Sequence, residues 1–131
     1  MTEFGAERRA LQAAVLVGGC VPVLAGGSGA LFGGAFMGAE LATDVDSHFR
    51  YLSGLLFGIG LAFWSAVPRI ERAGALIRLL TIIVVAGGLA RGLGFAASGT
   101  AGGVTIFALA MELVVTPAIC LWQARVARLK S

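Results

Sequence analysis

Charge is scarce in this chain. Of its 131 residues only 13% are Asp, Glu, Lys or Arg, about half the share found in an ordinary soluble domain, so there is too little polar surface to wrap a core in water. Histidine occurs once, at His48, and one imidazole does not build a zinc or haem site. The two cysteines, Cys20 and Cys120, stand inside apolar runs at different depths and without a second cysteine nearby. They form neither a disulfide nor a redox or metal motif and read as packing residues. The ten basic residues are scattered singly rather than gathered in a stripe, which removes nucleic acid as a partner in spite of a formal charge of +3. Also lacking are a serine–histidine–aspartate set, metal-ligand spacing, a phosphate-binding loop and a nicotinamide fingerprint. No catalytic residue, cofactor or metal is therefore expected.

What the chain does have is hydrocarbon. Hydrophobic residues make up 58% and concentrate in four segments, residues 10–26, 51–67, 75–97 and 103–122. A bilayer crossing takes about 20 residues, so four crossings use nearly the whole length. Backbone groups facing lipid must be satisfied within their own segment, which makes each crossing a helix. The expectation is an all-α integral membrane four-helix bundle, one domain over residues 1–131. Arg8 and Arg9 precede the first segment, Arg69, Arg72 and Arg78 flank the second connection, and Arg125, Arg128 and Lys130 follow the fourth. Eight of the ten cations thus share one side and only Arg50 lies on the other, which puts both termini in the cytoplasm. Trp64 and Trp122 then fall at the inner interface. Two arginines before an apolar run also describe a signal peptide, but its removal would leave three crossings and break the charge pattern.

Residues 27–49 are rich in glycine yet retain Leu31, Phe32, Phe36 and Met37, unlike a flexible polar loop. An extension of the first helix or a short re-entrant turn against the bundle fits them better. Residues 98–103, SGTAGG, form a tight uncharged turn, making the third and fourth helices an antiparallel hairpin. At about 1.5 Å per residue, Arg91 lies roughly 9 Å and Glu112 roughly 14 Å inside the same boundary, so the two are expected to pair. The faces agree: helical spacing collects Gly87, Gly88, Gly94 and Ser98 beside Arg91, and Thr105, Ala108 and Thr116 beside Glu112. Ile82, Ile83, Leu89, Leu93, Leu113 and Leu121 point elsewhere and can meet lipid. A charge inside a membrane costs about 2.5–3.5 kcal/mol and marks a functional candidate; a pair that only fixes helix packing is the competing reading.

A second polar cluster, Glu40, Asp44, Asp46, His48 and Arg50, precedes helix two. Asp46 or Ser47 suits a cap there. Arg50, near the positive end of that helix, calls for an anion such as Glu112, Glu40 or a headgroup. The candidate ligand-binding residues are therefore Arg50, Arg91, Glu112, His48 and Glu40, lining a polar pocket that opens outward, is closed below by aliphatic side chains, and has residues 27–38 as lid or wall.

The run DSHFRYLSGLLFGIGL, with LARGLGF late in helix three and MELVVTP in helix four, resembles a bacterial family of four-helix membrane proteins catalogued as a domain of unknown function. In architecture it is similar to the DoxX-like group. The resemblance covers most of residues 10–125, with its specific part limited to the positions around Arg50, Arg91, Glu112 and Pro117. It implies a multi-pass protein of the bacterial inner membrane with those charges as family features, and no established activity; the DoxX-like association with quinone-coupled sulfur oxidation finds no redox centre to match here. The expected function is binding of a lipid-like or amphipathic molecule, or of a membrane partner or second copy. A proton-coupled transporter in which Glu112 titrates against Arg91, or a quinone-linked accessory subunit, is the alternative.

Overall fold

The structure, a computed structural model, describes residues 2–100 and 102–131. Among them there is helix and no strand. Helix α1, Glu3–Phe32, runs through Pro22 and ends where Gly33 takes φ +58°, a left-handed conformation that strongly favours glycine. A 3-10 turn, Gly33–Met37, and a short linker lead to α2, Thr43–Ala66. A second 3-10 turn, Val67–Arg72, breaks at Arg69 (φ −126°, ψ 40°) and hands over to α3, Gly74–Ser98. The last rod has three parts: α4, Gly103–Ala110; one widened turn, Met111–Val115; and α5, Thr116–Lys130. Four helical stretches, Glu3–Met37, Thr43–Arg72, Gly74–Ser98 and Gly103–Lys130, are long and apolar enough to cross a membrane.

These stretches outrun the apolar segments seen in the sequence, chiefly at α1, which extends to residues 3 and 32 instead of 10 and 26, at the start of α2, residue 43 instead of 51, and at the end of α5, residue 130 instead of 122. Hydropathy marks what hydrocarbon can hold, whereas the backbone ladder continues into polar ends until something stops it. Residues 27–37 accordingly become the last turns of α1 and a 3-10 turn.

Contacts divide the chain into two compact units, residues 1–12 with 69–131, and residues 13–68. In the first, Leu11, Ile70, Ile77 and Val126 are fully buried. Gln123, equally buried, donates its amide to the Ile70 carbonyl at 2.9 Å, so the polar group is satisfied. Around this small core lies a knot of charge: Arg8 Nε meets Glu71 at 2.9 Å, Lys130 reaches the same carboxylate at 3.5 Å, and Arg125 holds Glu3 at 3.1 Å. Trp122 donates its indole N–H to Glu7. In the second unit Val15, Phe63 and Ala66 are buried, and glycines let helices touch, Gly26 against Ser53 and Phe57 and Gly60 against Pro22 and Val23. Trp64 lies over Gly19 and donates to the Leu16 carbonyl at 3.1 Å. Most large apolar side chains point outward, Leu93 at 74% and Val104 at 75% exposure among them, the reverse of a water-soluble core.

Candidate functional site

The polar residues that the sequence singles out fall into two groups, one in each unit. The first is carried by α3 and the widened turn. There the backbone N–H of Thr116 returns to the Met111 carbonyl five residues back, and the Thr116 hydroxyl donates to the same oxygen at 2.7 Å. The cause is local: Pro117, next in line, has no N–H to give and its ring crowds the carbonyl four residues earlier, so an extra residue in the turn relieves the clash. Glu112 rides on that turn.

Opposite it, Arg91 Nε lies 3.1 and 3.2 Å from the two Glu112 oxygens and Nη2 lies 3.0 Å from Oε1. This is the forked arrangement that guanidinium and carboxylate planes favour. Gly88 makes it reachable, since a Cβ there would stand 2.9 Å from Glu112 Cβ and 2.8 Å from Leu113 Cδ2. Of the small residues expected beside Arg91, Gly88 is packed, whereas Gly87 and Gly94 have nothing within 4 Å of where a Cβ would be. Leu113, expected to face lipid, packs against Gly88 instead: the extra residue of the widened turn brings two consecutive side chains to one seam. Glu112 is 17% exposed and Arg91 42%. Among the described residues no acceptor meets Arg91 Nη1, so one edge of the guanidinium is committed and the other is open.

The second group surrounds Arg50. Its Nε holds Asp46 Oδ2 at 2.7 Å, and its Nη1 reaches the carbonyls of Leu31 at 2.8 Å and Ala30 at 3.2 Å. Those carbonyls belong to the last turn of α1, where a helix lacks backbone donors and its dipole is negative. Asp46 Oδ1 accepts the Gly34 N–H at 2.7 Å. The anion that Arg50 called for is thus Asp46, one turn earlier. Neither Asp46 nor Ser47 caps α2, because the helix starts at Thr43 with Ala42 at its cap; Asp46 sits a turn inside and ties down the preceding turn. His48 and Glu40 are exposed, His48 on α2 and Glu40 in the linker.

Replacing Arg50 by Ala should release residues 33–37 while α1 and α2 persist. Amide exchange is expected to quicken on the order of tenfold over that turn and little elsewhere; unchanged protection there would contradict the clamp.

Sequence reasoning overlooked Glu3, Glu7 and Glu71, because the topology argument used the cations alone. Acids spaced near arginines at the chain's polar ends were the available clue. No metal-binding cluster of His, Cys, Asp or Glu occurs among the described residues, and both cysteines are free thiols.

A family model described as Domain of unknown function (DUF4345) matches residues 10–123. No curated protein and no solved structure matches the chain.

Proposed function

We propose, for a chain that belongs to the DUF4345 family, a membrane role: four crossings forming one bundle, both termini cytoplasmic, and a polar site at Arg91 and Glu112 that receives the head of an amphipathic or lipid-like molecule. Four long apolar helices and an outward-facing apolar surface support the membrane placement. The observation that carries the site is the half-committed guanidinium of Arg91. Counted from the α3 end at Ser98, it lies about 10 Å along the helix axis, where unmet N–H donors are costly. A headgroup rich in acceptors, carboxylate, phosphate or carbonyl, satisfies the open edge while Glu112 holds the other. Arg50 acts as a positioning residue for the α1 end, and His48 and Glu40 are exposed contacts for polar groups beside it. A proton-coupled carrier is the second reading; it requires Glu112 to leave a three-bond fork in each cycle.

The test compares wild-type protein with the Arg91→Gln/Glu112→Gln double variant, which keeps size and removes charge. Native mass spectrometry in mild detergent should find a co-purifying small molecule on the wild type and its loss from the variant. Equal retention on both overturns the site. Proton-driven flux in proteoliposomes that vanishes with Glu112→Gln favours the carrier.

A further inference from the structure

At the end of the first unit that holds both termini, cations outnumber the acids that could neutralise them. Glu3 and Glu7 are taken by Arg125 and Glu71 by Arg8 and Lys130. Arg9, Arg69, Arg72, Arg78 and Arg128 are all exposed, and none has a carboxylate partner among the described residues. The apolar surface next to them is specific. Arg78 stands at the foot of an outward stripe on α3, Ile82, Leu89 and Leu93, exposed at 67, 58 and 74%. Arg128 likewise ends a stripe formed by Val114 and Leu121. Each stripe offers an acyl chain a dry face and, at its end, a guanidinium that can reach outward from an apolar stem.

We infer that these arginines dock anionic phospholipids of the adjoining leaflet, one phosphate on Arg78, with Arg72 six residues earlier in sequence as a second cation for it, and another on Arg128, with the acyl chains along the two stripes. The inference rests on the membrane placement above but uses none of the residues of the Arg91 site. Charge complementarity selects an anion, and the stripes select a lipid over a soluble phosphate, which has nothing to lay against leucine. Basic residues near a membrane surface are worth about 1 kcal/mol each toward anionic lipid, or roughly fivefold in affinity.

The experiment adds phosphatidylglycerol or phosphatidylcholine of identical acyl chains to the full chain in neutral detergent and counts bound lipids by native mass spectrometry. Phosphatidylglycerol should be preferred; Arg78→Gln and Arg128→Gln should each weaken that preference about fivefold at one of the two stripes, and the Arg72→Gln/Arg78→Gln/Arg128→Gln variant should weaken it at both, by about 25-fold where Arg72 and Arg78 act together. The single variants touch exposed, unpartnered side chains and keep the test informative should the triple variant misfold. Arg91→Gln/Glu112→Gln should retain the preference, which separates this docking from the site above. Equal binding of the two lipids, or full displacement of phosphatidylglycerol by inorganic phosphate, overturns the inference.

Discussion

On the membrane placement proposed above, substituting Arg91 by Leu while Glu112 stays should destabilise the protein by about 2.5–3.5 kcal/mol in detergent or bilayer, the cost of an uncompensated charge at membrane depth. Replacing both residues, Arg91→Leu with Glu112→Leu, should return stability to within about 1 kcal/mol of wild type, because the strength of a buried pair is largely spent on its own desolvation. The size of the single-variant effect decides between environments. A pair bathed in water is worth only about 0–1 kcal/mol, and the partial exposure of Arg91 would suggest that figure if water lay against it. Reversible unfolding in mixed micelles measures both variants. A single variant as mild as the double would mean that the pair is solvated.

Gly26→Ala should be nearly as damaging, for a steric reason. A Cβ on Gly26 would lie 2.5 Å from the Phe57 backbone nitrogen and 2.7 Å from the Ser53 carbonyl oxygen. Both are main-chain atoms of α2 that cannot rotate aside, so the helices must separate, at about 3 kcal/mol, the upper part of the usual range for overpacking. Gly58 is the control, since nothing lies within 4 Å of where its Cβ would be. Gly58→Ala should be neutral or stabilising by up to about 1 kcal/mol through helix propensity. Equal effects at the two positions would deny the close approach of α1 and α2, which matters because lipid provides no hydrophobic drive for helices to associate.

The four apolar stretches and the meeting of Arg91 with Glu112 were legible because both depend on counting: twenty residues to a crossing, 1.5 Å to a residue, a short turn at residues 98–103. The fork itself was not, since it needs the widened turn at Met111–Val115. Its only trace in the sequence is Pro117, and a proline can instead kink a helix or start one. Arg50 shows a different limit. Its need for an anion was readable, but which acid met it depended on where α2 began, and a start four residues earlier turns Asp46 from a cap into a tether. The cluster of Glu3, Glu7 and Glu71 escaped for a third reason. Contacts such as the hydrogen bond from Trp122 to Glu7 join residues 115 apart in sequence, and nothing in local periodicity reports contacts at that separation. Glycine spacing has the same limit: Gly54 with Gly58 and Gly88 with Gly92 share a four-residue interval, yet of these four only Gly88 is tightly packed.

An experimental density map of the protein in lipid nanodiscs bears most directly on the central claim. The account predicts Arg91 and Glu112 still forked, with non-protein density within hydrogen-bonding distance of Arg91 Nη1. A map in which the two side chains stand apart, or in which Nη1 is met by protein groups alone, would contradict it.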